Sequence, residues 1–156
     1  MEDARVSWVA GTAAGAINGD LSPDDRWIAY QSSETGRAEI YVHPFPDLAG
    51  GRWQVSAGGG LQPVWGPDGR ELFFRGPDRR LMVASVETQR SLILGTPAPL
   101  PVELFAPAPG RPYDISPDGK RFVIIEEGEP TMQALPQITL VLNWAEDLKR
   151  LMAPAK

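Results

Sequence analysis

Ser22-Pro23-Asp24-Asp25-Arg26, running into Trp27-Ile28-Ala29-Tyr30, decides the fold, because the chain writes the same phrase twice more. Gly66-Pro67-Asp68-Gly69-Arg70 leads into Glu71-Leu72-Phe73-Phe74, and Ser116-Pro117-Asp118-Gly119-Lys120 leads into Arg121-Phe122-Val123-Ile124. Pro23 and Pro67 stand 44 residues apart, and Pro67 and Pro117 stand 50 apart. A recurrence of that length marks a repeat architecture. Each copy has the same physical logic. Proline fixes φ at the first corner of a turn. The aspartate accepts hydrogen bonds from nearby backbone N–H groups. The next residue needs a positive φ, which Gly69 and Gly119 supply freely and Asp25 tolerates. A basic residue then begins an outgoing apolar strand. The phrase is a tight β-turn joining two antiparallel strands.

Pro-Asp-Gly-Lys/Arg followed by an apolar strand resembles the PD40 repeat, the WD40-like repeat of TolB-type β-propellers. Trp65-Gly66-Pro67-Asp68-Gly69-Arg70-Glu71-Leu72-Phe73-Phe74 is the closest copy, and the resemblance covers roughly residues 15–144. It implies an all-β chain of about three four-stranded antiparallel blades, near 12–57, 58–106 and 107–143. A strand at 6–9 would complete the third. Within the first unit, strands are expected near 14–17, 27–31, 39–42 and 52–56. The second unit repeats the order at 61–65, 72–75, 81–86 and 102–105, with 91–101 as a long proline-marked connection. The third offers 111–115, 122–126 and 137–142. A short C-terminal helix is expected over 144–152, where Asn143 can cap and Glu146, Asp147, Lys149 and Arg150 suit the helix dipole. The stretch Ile138–Trp144, with the residues to Lys149, also resembles the end of propeller domains appended to some bacterial serine/threonine kinases.

Composition agrees with short strands and many turns. Sixteen glycines and 16 prolines in 156 residues are too many for a helical bundle. The net charge of −5 argues against nucleic acid as a partner. With no cysteine, disulfides, zinc–thiolate sites and cysteine nucleophiles are excluded. No apolar run approaches the roughly 18 residues of a membrane span, so no membrane insertion is expected. Met1-Glu2-Asp3 lacks the basic-then-apolar order of a signal peptide. The chain as written reads as cytoplasmic, and as extracytoplasmic if it is cut from a longer parent.

Catalytic signals are weak. His43 is the only histidine, stands before Pro44, and has no nucleophile turn of the Gly-x-Ser-x-Gly kind to serve. No catalytic residue, metal or cofactor is expected. Asp20, Ser22, Asp24 and Asp25 loosely resemble a calcium loop but lack its glycine and distal glutamate, so Asp24 is read as buttressing its own turn. Gly58-Gly59-Gly60 is not followed by Lys-Ser/Thr and is a link, not a phosphate loop. Trp27, Trp53, Trp65 and Trp144 are read as packing residues. Propellers bind at the mouth of the central channel, with residues from the innermost strands. The resemblance places Gln62, Arg111, Tyr113 and Asp114 there.

The expected function is a non-catalytic interaction or sensor scaffold for a protein or peptide. The alternative is the propeller portion of a larger enzyme, either a bacterial serine/threonine kinase or a peptidase. Three blades cannot close a ring of four to eight. Both end flanks should then be apolar and exposed. A complete chain should form a twofold homodimer with a six-bladed ring, in which strand 6–9 closes the third blade of its partner.

Overall fold

The computed structural model describes residues 15–88, 91–104, 110–126 and 137–142. The regular structure of the described chain is nearly all β, in three antiparallel sheets. The first contains β1 (Ala16–Leu21), β2 (Trp27–Ser32), β3 (Glu39–Pro44) and β4 (Trp53–Gln54), paired in that order. The second contains β5 (Leu61–Trp65), β6 (Glu71–Arg75) and β7 (Arg80–Glu87), with β8 (Ile93–Leu94) and β9 (Ala98–Glu103) both pairing with β7. The third contains β10 (Tyr113–Ile115), β11 (Arg121–Glu126) and β12 (Gln137–Leu142).

The three turns are built alike. The backbone N–H of Asp25, Gly69 and Gly119 donates to the carbonyl of Ser22, Gly66 and Ser116 at 2.9, 2.9 and 2.8 Å. Those three donors have φ of 55°, 70° and 67°, the left-handed corner that the sequence requires. In each turn the aspartate Oδ1 accepts the N–H two residues on, from Arg26, Arg70 or Lys120. Ser22 and Ser116 add a hydroxyl that donates to the aspartate and accepts the N–H of Trp27 or Arg121. Successive turns touch. A Cβ on Gly69 would lie 3.6 Å from Pro23, and one on Gly119 would lie 3.1 Å from Pro67.

Strand alternation then sorts the core into two layers. Trp27, Ala29, Ile40, Val42 and Val55 of the first sheet pack on Trp65, Leu72, Phe74, Ala84 and Val86 of the second. The opposite face of the second sheet presents Val64, Phe73, Leu81 and Val83 to Tyr113, Phe122 and Ile124 of the third. Phe73 and Phe122 meet edge-on at 5.1 Å. Counted from each turn proline, the residue six places on faces the next sheet, and those five and seven places on face the previous one.

The second sheet departs from expectation. The proline-marked connection carries β8, and the outer strand begins at Ala98, not Val102. Pro99 and Pro101 fit because β9 lies at the sheet edge, where a missing N–H breaks no ladder. β1 runs further than expected, to Leu21. The strand expected at 6–9 and the helix at 144–152 lie outside the described residues.

The two end flanks differ. Val123 and Ile125, six and eight places after Pro117, are 40% and 53% exposed. On the opposite flank Tyr30 and Tyr41 are 4% and 1% exposed. On that first flank Leu21, registered opposite Ile28 on the edge strand β1, is 43% exposed, so apolar side chains are bare at the edge of the first flank and in the middle of the third.

Candidate functional site

The innermost strands β1, β5 and β10 meet in a polar network that crosses all three sheets. Its first element is backbone strain. Asn18 and Gln62 have φ of 55° and 56°, and each sits where the register with the neighbouring strand shifts, between Ile17 and Asp20 and between Leu61 and Val64. Glycine would take that conformation without cost and asparagine tolerates it; glutamine holds it only where the surroundings fix it. The shift pairs Asp20 with Ala29, a residue that faces the second sheet.

Gln31 Oε1 accepts the Asn18 side-chain amide and the Gln62 backbone N–H, both at 3.2 Å. The Gln62 carbonyl accepts the Tyr113 hydroxyl at 2.6 Å, and the Gln62 side-chain amide donates to the Gly110 carbonyl. Asp20 Oδ2 accepts the Trp65 N–H at 2.8 Å, while its Oδ1 is 3.3 Å from Arg111 Nη1. The other arm of Arg111 is 3.3 Å from Asp114 Oδ2. Arg111 thus ties the first sheet to the third across the end of the second. Burial raises the Tyr113 hydroxyl well above its usual range, so it stays a neutral donor.

The structure brings Gln62, Arg111, Tyr113 and Asp114 together. Sequence reasoning missed Asp20, Asn18 and Gln31. A signal for two of them existed. Asn18 and Gln62 are spaced by the same 44 residues as their turn prolines, and Asp20 and Asp114 each stand three places before theirs. Chemically the set offers a guanidinium between two carboxylates and a buried amide whose Oε1, on Gln62, has no partner. It can hydrogen-bond a peptide-like group.

Elsewhere the candidates resolve into structure. Asp24 and Asp118 serve their turns, and the serine hydroxyl beside each lowers its carboxyl below the usual range. Among the described residues no group of three or more His, Cys, Asp or Glu is placed to hold a metal. His43 stacks on Tyr30 at 5.6 Å, and burial lowers its pKa. Trp27, Trp53 and Trp65 are core or core-packed, with Trp27 and Trp53 edge to face at 5.6 Å; Trp144 lies outside the described residues. Gly58 and Gly59 donate their N–H groups to the carboxylate of Glu39, which is 2% exposed. Burial raises that carboxyl, but bonds from Ser56, Gly59, Gly58 and Arg37 outweigh it and hold the pKa below the ordinary value.

No family model matches the sequence, and no curated protein matches it. Solved structures do. A TolB protein of Agrobacterium tumefaciens matches at TM-score 0.54 and 17% identity, over 83% of this chain and 46% of that one. TolB of Acinetobacter baumannii matches at TM-score 0.42 and 17% identity, over 86% of this chain and 43% of that one. The fold is that of a TolB-type β-propeller. The chain spans less than half the length of either structure.

Proposed function

We propose that this chain is a non-catalytic β-propeller scaffold that binds a protein or peptide at the inner-strand end of its sheets. The observation that supports the reading is the network around Arg111. Three sheets converge on one exposed guanidinium and carboxylate set, and the buried Gln62 amide within it keeps an unpartnered acceptor. Such a set suits a peptide segment, whose N–H groups would meet Asp114 and whose carbonyls would meet Arg111. The test is selection of peptides from a random displayed library on the immobilised chain. Arg111→Ala and Asp114→Ala should each weaken a selected peptide about tenfold, a hydrogen bond to a charged group being worth about 1.5–3 kcal/mol. Asp47→Ala, in a loop of the first sheet, should not. Peptides that bind all variants equally would place the site elsewhere.

The second reading, the propeller portion of a serine/threonine kinase or a peptidase, rests on the resemblance of the stretch Ile138–Trp144 to the end of propellers appended to such kinases. A kinase or hydrolase domain fused to this segment in its parent chain would decide for it.

A further inference from the structure

Resting on that reading of the inner-strand end, we infer that the peptide it takes is basic, with a lysine or arginine side chain seated against Asp114. The charges of the site do not balance. Asp20 lies 3.3 Å from one arm of the Arg111 guanidinium, and Asp114 lies 3.3 Å from the other. Two carboxylates therefore share one cation. The charges that bear on the buried Tyr113 hydroxyl beside them are the same three, Arg111, Asp20 and Asp114. Among the described residues, one negative charge of this set is left over.

The excess falls on Asp114. Asp20 is spent within the fold: its side chain is 27% exposed, its Oδ2 accepts the Trp65 N–H at 2.8 Å and its Oδ1 faces Arg111. It neutralises Arg111 and fixes where the guanidinium stands, which makes it a positioning residue. The Asp114 side chain is 60% exposed. Its Oδ1 accepts the Ile115 N–H at 2.9 Å and its Oδ2 meets Arg111. A carboxylate has about four acceptor sites, so these two partners leave room for a third. A basic side chain placed there meets the uncompensated charge. A ligand carboxylate would instead meet two carboxylates, and a guanidinium that both already hold. The net charge of −5 steers partners the same way.

The test uses three pools of random heptapeptides, capped at both ends, with lysine, glutamine or glutamate fixed at the centre. Binding to the immobilised chain should rank lysine above glutamine by about fivefold, the scale of an exposed ion pair, and glutamine above glutamate by a similar factor. Raising the salt from about 0.05 M to about 0.5 M should flatten the ranking. Asp20→Asn/Asp114→Asn leaves Arg111 unopposed and should reverse the order, with glutamate first. Asparagine keeps an acceptor for the Trp65 N–H, so this variant should fold. Asp47→Asn/Asp78→Asn removes the same two charges from exposed positions in other loops and should keep lysine first. Equal binding of the three pools by wild type overturns the inference. So does a ranking that survives Asp20→Asn/Asp114→Asn, or one that Asp47→Asn/Asp78→Asn abolishes, since overall charge would then be its cause. Arg111→Ala separates the two levels of failure. Pools that bind wild type without ranking, yet all weaken with Arg111→Ala, would keep the peptide site and reject the basic partner. Pools indifferent to Arg111→Ala would reject both.

Discussion

The first and third sheets flank the second and obey the same strand alternation, yet the central strands of the first flank are covered and the central strand of the third is bare. On the first, Tyr30 and Tyr41 stand opposite in register and stack at 6.0 Å, and His43 stacks on Tyr30. Arg52 lies over the Tyr41 ring at 4.6 Å and pairs with Glu34. On the third, the outward side chains described on β11 include Val123 and Ile125, 40% and 53% exposed. The difference is one of side-chain reach. Large rings and a long cation can cover one another within a single sheet, while short aliphatic chains need a surface from outside.

The largest effect expected separates the two flanks directly. Tyr41→Ala should destabilise the fold by about 3 kcal/mol, the usual cost of deleting a buried aromatic ring. Ile125→Ser, measured in urea, should change stability by less than about 0.5 kcal/mol. Equal losses at the two sites would erase the contrast.

The junctions behind the two end sheets should also differ, by a smaller margin. Gly69 and Gly119 hold nearly the same left-handed corner, so alanine at either costs about 1 kcal/mol in backbone strain. At Gly69 the added Cβ would meet Pro23 at an ordinary 3.6 Å; at Gly119 it would meet Pro67 at 3.1 Å. Gly119→Ala should therefore cost about 2 kcal/mol and Gly69→Ala about 1. Thermal melts of the pair would show whether the third sheet is seated more tightly than the first.

How much of this was legible depends on how local the cause is. The turns were readable because proline, aspartate and a positive-φ residue act within five positions, and Asp25 took the predicted corner without being glycine. The grouping of Gln62 with Arg111, Tyr113 and Asp114 could be placed because repeats put inner strands side by side. Asp20 could not: its direction is set by a register shift at Asn18, and its partner Arg111 is 91 residues away. Glu39 was read only as a strand residue. Its burial makes sense once Gly58 and Gly59 bring two N–H groups to it, a contact between segments about 20 residues apart. The covered centre of the first flank was hidden for the same reason, since Arg52 reaches Tyr41 from beyond the end of β3.

Glu71 gives a pH-dependent contrast at the junction facing the third sheet. It follows the second turn, where Trp27 stands in the first repeat and Arg121 in the third. Burial, with Asp68 beside it, pushes its carboxyl up to about 7 from 4.5. A raised folded-state pKa means that the protonated form fits the fold better. The stability it contributes is present below about 4.5 and is lost as pH rises through about 7. Glu71→Gln removes that loss. The variant and wild type should melt together near the lower value and diverge above the upper one, with the variant ahead by about 1 kcal/mol after allowance for solvent screening of a half-buried group. A constant offset at all pH values would show that Glu71 acts through packing.

The smallest effect expected tests what covers the centre of the first flank. Arg52 is 41% exposed at its side chain, so its pairing with Glu34 by itself is worth little. Its place over the Tyr41 ring matters more, because a guanidinium on an aromatic face adds about 0.5–1 kcal/mol and its stem shields the ring from water. Arg52→Ala should therefore cost about 1 kcal/mol and make Tyr41 accessible, read as quenching of tyrosine emission by a soluble quencher in a variant with the tryptophans replaced where the fold allows. Arg52→Lys keeps the charge but not the planar stack, and should fall between the two. If Arg52→Ala left both stability and quenching unchanged, Tyr30, Tyr41 and His43 would be sufficient to cover the centre of that flank, and the contrast with Val123 and Ile125 would rest on ring size alone.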